Sequence, residues 1–373
     1  MRMPFPKIQW QNLPAIALLS LPDLLPEWDR LNAERADLPF MTSAAVSSAL
    51  QVFGSGAERL LVGREAGTVV AMLLLVPTGS FQWRTFQPSQ LPLGVWVAAK
   101  ELTPTSIARS LMRGPLGFCL GFSITQVDPL LAPREIDQAD SKHIDYIDTG
   151  WIDIVGTFDD YWNARGKNLR QNMRKQRNKL ATEGTHIHMR MWTAPEDMAD
   201  AITRYGVLES SGWKASEGTA IHPDNPQGQF YIQLLKNAAK NGGAAVYEYF
   251  FNDKTVALNL CIQRSETLVV LKTTYDESIK NYSPAFLLSQ DKIEQVFGQG
   301  TIKRIEYYGR MMEWHTRWTE SKRTLYHLTC YRWSWLKKLA ERRHKKKEDA
   351  YALTATNDAN TPSIVPPVSE SNS

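Results

Sequence analysis

Between residues 268 and 297 an apolar strand pattern (Leu268–Thr274) runs into the polar loop "YDESIKNYSP" and then into an apolar-periodic helix pattern, Ala285–Phe297. A strand feeding a helix N-terminus leaves unpaired backbone N–H groups and the positive end of the helix dipole above the turn, which together attract an anion. Lys280 adds a cation to that loop, and Pro284 sits at or near the first helical position, where its missing N–H costs nothing. The plain alternative is a β-to-α connection capped by Ser283. A second cationic feature lies upstream. From Arg165 to Lys179 there are seven basic residues and no acidic one, on a helix whose thin seam is Trp162, Leu169, Met173 and Leu180. Such a face, with Arg170 and Arg174 in it, suits the phosphates of a ligand, an anionic membrane surface, or plain solvent. Trp213-Lys214, in a Gly-flanked loop, reads equally as an aromatic platform for a sugar or base or as a pin for the loop.

The elements that would position these groups follow from periodicity. Ala44–Phe53 reads as a helix capped by Ser43, and Arg59–Arg64 with Thr68–Val76 as a hairpin. A short strand in "LPLGVWV" and a short helix at Ser106–Met112 complete a mixed first half. Asp159 or Asp160 is expected to cap the cationic helix, with Gly166 a point where it can break. Strand "HIHMRMW", helices Pro195–Leu208 and Gln229–Lys240, and the meander Ala244–Phe251, Thr255–Gln263, Leu268–Thr274 come next. Helix Ala285–Phe297 and strands Lys303–Tyr308 and Lys322–Tyr331 close the order β-α-α-β-β-β-α-β-β.

The 373 residues carry 43 basic and 39 acidic side chains, a net charge of +4 that is too mild to imply nucleic acid by itself. With 43% hydrophobic and 22% charged residues, wholesale disorder is excluded. Three scattered cysteines (Cys119, Cys261, Cys330) fit a reducing compartment better than a disulfide framework. His186-x-His188 lacks the further ligands a metal needs, so no metal is expected. The opening residues lack a secretory pattern and the longest apolar run is far short of a membrane span, so a cytoplasmic location is expected. Trp333–Lys347 reads as a basic helix whose leading aromatics suit an inner membrane face, or as a solvated tail.

In order and spacing the chain resembles the GNAT acyltransferase superfamily, and within it the CelD-like branch related to FemAB-type transferases. The stretches that carry the resemblance are "FDDYWNARGKNLRQNMRKQRNKL", "LESSGWK", "TTYDESIKNYSPAFLLSQDKIEQVF" and "IEYYGR", with "LPFMTSAAVSSALQVFG" and "LLVGREAGTVVAMLLLV" in the first half. It covers most of residues 25–335. Ala285 stands where the family usually has Gly after Ser-Pro, and Trp314-His315 where it has a Tyr-Lys pair. The resemblance implies an α+β fold of two tandem GNAT-like (acyl-CoA N-acyltransferase) lobes, each a mixed, mostly antiparallel sheet flanked by helices. The expected division is 1–145, 146–335 with the chemistry, a basic helix 336–350 and a disordered tail 351–373.

It further implies acetyl-CoA or another acyl-CoA as co-substrate. The acceptor would be an amine or hydroxyl of a sugar or lipid-linked precursor in polysaccharide or cell-envelope biosynthesis. The alternatives are a FemAB-like transferase using aminoacyl-tRNA, and a non-catalytic GNAT scaffold of a polysaccharide-synthesis complex. Acyl transfer needs an oxyanion donor, a base and an acid. A backbone N–H exposed by splaying of Leu268–Thr274 would serve as the first. Tyr282, then Tyr275, are the acid candidates. Glu248 and Glu306, on strands where burial raises a carboxylate pKa, and His315 are the base candidates, each carboxylate also reading as a structural pair. Thr274, Tyr275, Lys280, Asn281, Ser283, Ala285 and Phe286 are expected to hold the coenzyme. Arg170, Arg174, Trp213, Lys214 and Tyr308 are expected to meet the acceptor.

Overall fold

In the computed structural model, which describes residues 8–210 and 221–343, the first half opens with strand β1 (Gln9–Pro14). Helices α1 (Ala17–Ser20), α2 (Leu24–Arg35) and α3 (Ser43–Phe53) follow, then strands β2 (Arg59–Glu65), β3 (Thr68–Gly79), β4 (Gln82–Thr85) and β5 (Trp96–Ala98). Helix α4 (Pro104–Met112) crosses to β6 (Gly121–Val127) and β7 (Ser141–Asp153). The second half runs through α5 (Phe158–Asn163), α6 (Lys167–Thr182), β8 (Ile187–Trp192), α7 (Asp197–Ser210) and α8 (Pro226–Ala239). Strands β9 (Ala244–Phe251), β10 (Lys254–Arg264) and β11 (Thr267–Tyr275) form the meander. A 3-10 turn (Glu277–Tyr282), α9 (Pro284–Gln299), β12 (Arg304–Glu306), α10 (Glu313–Thr316) and β13 (Lys322–Tyr331) complete it.

The strands join in the order β1-β2-β3-β4-β6-β13-β7-β12-β11-β10-β9-β8, with β5 added on β3. β13, late in the chain, inserts between β6 and β7 of the first half, while β7 reaches across to β12 of the second. Each half thus completes the other's sheet, and two mixed, mostly antiparallel lobes are fused through one exchanged strand pair. The division expected at 145–146 falls inside β7. Helix α3 explains how the lobes also share a core: Thr42, rather than Ser43, caps it by accepting from the Ala45 N–H. Its buried Val46, Ala49 and Leu50 join Phe230, Leu234 and Leu235 of α8 in one cluster, and Phe53 meets Phe230 at 5.4 Å.

The cationic stretch breaks at Gly166, where the sequence allowed it, into two helices. Thr157 caps α5 in a box with Asp160, so neither Asp159 nor Asp160 is the cap residue, and the chain breaks before α6 begins after Gly166. The break has a cause: α5 is pinned elsewhere, with Tyr161 and Arg165 both donating to the Trp318 carbonyl at 2.8 and 2.9 Å.

Both lobes contain one parallel strand pair, and they differ there. In the first, Gln82–Arg84 pair with Gly121–Ser123, and the chain beyond them folds back into the opening. The Gly94 N–H donates to the Thr125 carbonyl at 3.0 Å, and the Thr85 and Thr125 hydroxyls bond at 2.7 Å. A Cβ on Gly94 would lie 2.4 Å from the Thr85 hydroxyl and 2.5 Å from the Thr125 carbonyl. Gly94→Ala is therefore expected to destabilise the protein by about 1–3 kcal/mol through overpacking, read as a lowered urea midpoint. An unchanged midpoint would show that this closure yields easily.

Candidate functional site

In the second lobe the corresponding pair stays open. β11 and β12 match only at Thr267–Arg304, Leu268–Ile305 and Val269–Glu306. Beyond that point the chain after β12 leans to β7, the Tyr307 N–H donating to the Gly150 carbonyl at 3.2 Å. Past Val269, β11 keeps its pairing with β10 and has no paired strand among the described residues on its β12 side. Above the gap lies a cavity of about 260 Å³. Thr273, Tyr275 and Asn259 line its floor, and Lys280, Ser283, Pro284, Ala285, Phe286 and Ser289 its helical side. Trp314 and Trp318 form the far wall.

The N-terminus of α9 is aimed here by an unusual turn. Ser283 takes a left-handed conformation (φ 55°) and its side chain does not cap the helix, so the capping role considered for it is not met. Its hydroxyl instead accepts from the Asn172 amide of α6 at 3.4 Å. Pro284 has no N–H, the Phe286 and Leu287 amides donate to the Ser283 carbonyl, and the Ala285 N–H makes no hydrogen bond among the described residues. One helix amide, the dipole and Lys280 therefore converge on the mouth. A second unused donor is the buried indole Nε1 of Trp318. Groups of this kind suit an acyl-CoA, whose phosphates need cations and amides and whose pantetheine arm brings carbonyl acceptors.

Several expected residues lie elsewhere. Strand alternation puts Thr273 and Tyr275 in the cavity and Thr274 on the opposite face, paired with Leu258. Asn281 is exposed and outside the cavity. The Tyr282 ring packs against Phe251 at 6.1 Å and beneath the Lys179 ammonium at 4.1 Å, away from the cavity lining, so Tyr275 is the tyrosine in place. Burial raises the Tyr275 phenol above its ordinary value. His315 is an internal cap: its Nδ1 accepts from the Met312 N–H at 2.9 Å and its ring stacks on Trp314. Burial lowers its pKa to about 4, which makes it a poor base. Glu248 is fully buried and saturated, accepting from Trp192 at 2.6 Å, Arg204 at 2.9 Å and Thr255 at 2.6 Å. It holds α7 to the sheet. Arg170 donates back to the Arg165 carbonyl, Arg174 is exposed on α6, and neither lines the cavity. Arg177 of the same helix pairs with Asp291 of α9. Trp213 and Lys214 lie outside the described residues.

Glu306 occupies the apex of the opening, as the last paired residue of β12. It faces away from α9, toward the junction of the lobes, where Arg323 of β13 donates to it at 2.9 Å and to Asp128 at 2.7 and 2.8 Å. Arg323 thus serves two carboxylates, and Asp128 takes the larger share. Burial dominates what remains and raises the Glu306 pKa to about 7. Tyr308 is buried beside it, its ring under the Arg323 guanidinium at 4.9 Å and edge-on to Phe40 at 4.9 Å, so it knits the lobes together and presents no open surface. Sequence reading missed Asn259 and Lys292. The Lys292 ammonium is wholly buried behind the cavity and donates to the Asn259 side-chain Oδ1 at 2.7 Å, burial lowering its pKa. A lysine four residues after Leu288 and four before Val296 on an apolar face was the available signal. Among the described residues no His, Cys, Asp and Glu group could hold a metal ion.

Residues 167–316 match the acetyltransferase (GNAT) domain family. No curated protein matches the chain significantly. Among solved structures, FemX aligns over 84% of this chain and 97% of its own at 9% identity, with a TM-score of 0.53. A conserved protein of unknown function from Bacteroides thetaiotaomicron aligns over 83% and 97% at 13% identity, with a TM-score of 0.51. The C-terminal domain of a candidate lysylphosphatidylglycerol synthetase from Agrobacterium fabrum aligns over 82% and 90% at 12% identity, with a TM-score of 0.50. At these identities the likeness is one of fold, and the fold is the mixed α+β GNAT arrangement that the sequence implied.

Proposed function

We propose that the second lobe transfers an acyl group from an acyl-CoA thioester to an amine or hydroxyl. The observation that carries this reading is the parting of β11 from β12 after Val269 beneath the open end of α9. The pantetheine arm enters from the α9 side, with its diphosphate at the Ala285 amide and Lys280. The acceptor approaches on the Glu306 face of the sheet, which requires Tyr308 and Arg323, now packed over that carboxylate, to move aside. Glu306 takes the proton of the attacking nitrogen or oxygen as the new bond to the carbonyl carbon forms. Amides of β11 past Val269 hold the oxyanion, and the carbon–sulfur bond then breaks. Tyr275 protonates the leaving thiolate and regains its proton from solvent, to which Glu306 returns the one it took. The acceptor class, a sugar or lipid-linked precursor in polysaccharide or envelope biosynthesis at the cytoplasmic side, rests on resemblance to the CelD-like branch.

A second reading, aminoacyl transfer from aminoacyl-tRNA, is favoured by the exposed cations Lys167, Arg174 and Lys175 of α6, which can meet phosphates of an RNA. Calorimetric titration with acetyl-CoA and longer thioesters separates the two. The acyl-CoA reading expects saturable heat for at least one thioester. No heat with any of them, together with salt-sensitive retention of labelled aminoacyl-tRNA, would give the site to the second reading.

A further inference from the structure

Three segments far apart in sequence bring exposed rings to one edge of the first lobe. Phe81, Phe118, Trp333 and Trp335 are 47%, 54%, 41% and 56% exposed. They form one row: Phe81 meets Phe118 at 5.4 Å, Phe118 meets Trp333 at 6.0 Å, and Trp333 stacks on Trp335 at 5.8 Å. Main-chain bonds fix the segments, Leu120 donating to the Phe81 carbonyl at 2.7 Å and Arg332 to the Leu120 carbonyl at 2.9 Å. Single exposed rings need no explanation, but a fixed row of four does. Arg332 spans it, 5.3 Å from the Phe118 ring and 5.7 Å from Trp333.

The helix at 334–343 continues the surface. Trp335, Lys338, Leu339 and Arg342 recur at helical spacing and are all exposed, as is Arg343. The one acid among the described residues of this helix, Glu341, is turned back toward Lys142 and Lys337 at 3.7 and 4.0 Å. Among the described residues of the helix, the outward face is therefore aromatic and cationic with no carboxylate. We infer that this face docks the protein on an anionic bilayer, the two tryptophans at headgroup depth and Arg332, Lys338, Arg342 and Arg343 against lipid phosphates. Tryptophan beside lysine and arginine is the composition of bilayer interfaces, whereas protein-binding patches lose lysine at their centre. Trp333 and Trp335 stack on each other, which leaves no slot for the bases of a single-stranded nucleic acid. Docking is peripheral, because no helix among the described residues is long and apolar enough to cross a membrane.

The test is co-sedimentation of the full chain with phosphatidylcholine vesicles, with and without phosphatidylglycerol. Binding is expected only to the anionic vesicles. W333A/W335A should weaken it at least about tenfold, and K338A/R342A by about fivefold per cation in a salt-sensitive way. Both pairs are exposed, and unchanged thermal melting of the variants confirms their fold. Absence of binding, equal binding to neutral vesicles, undiminished binding by W333A/W335A, or retention of single-stranded RNA in place of vesicles would each overturn the inference.

Discussion

Glu306→Gln is expected to lower turnover by about 10²–10⁴-fold while leaving acyl-CoA affinity nearly unchanged, the range set by loss of a general base. The substitution keeps the shape and an acceptor for Arg323, whose two bonds to Asp128 remain. A base with a pKa of about 7 must be ionised to act, so the wild-type rate should rise through neutral pH and level off above it. That limb should vanish in the variant. Stability runs the other way. Folded Glu306 holds its proton up to about pH 7, whereas the unfolded chain releases it near 4.5, so the folded state binds more protons between those values. Its contribution is fully present below pH 4.5 and is lost as pH rises through 7, a slope that Gln removes. Unchanged turnover with the limb intact would return the base role to another group.

Ala285→Glu separates binding from folding. The position is in the first turn of α9, where a carboxylate stabilises a helix by a few tenths to about 1 kcal/mol. The same carboxylate would lie at the mouth of the cavity and repel a diphosphate, so acyl-CoA affinity is expected to fall on the order of a hundredfold. Calorimetry should report the loss and thermal melting an equal or higher midpoint. If affinity survives, the coenzyme's phosphates lie elsewhere.

Local periodicity made the second lobe legible. Ala244–Phe251 and Lys322–Tyr331 fall where alternation placed them, and the strand-loop-helix at 267–299 was readable because apolar period and turn residues change together there. Exchange of β7 and β13 was not readable, since it depends on long-range pairing that no local pattern encodes. Candidate site residues were legible by type and not by face. Thr274 and Thr273 are neighbours in sequence, and only the register with β10, shifted between Leu260 and Cys261, decides which one looks into the cavity. Glu248 and Glu306 looked alike for a similar reason. Partners from distant segments, Arg204 for one and the Asp128–Arg323 pair for the other, separate a saturated strut from a carboxylate whose proton can move.

The central claim is that the parted strands, β11 and β12, receive a thioester carrier. A crystal structure with a non-reactive acetyl-CoA analogue tests it most directly. The pantetheine arm is expected between Val270–Tyr275 and the chain after Glu306, with the diphosphate at the Ala285 amide and Lys280. An analogue bound on any other surface, or strands that close together and exclude it, would contradict the account.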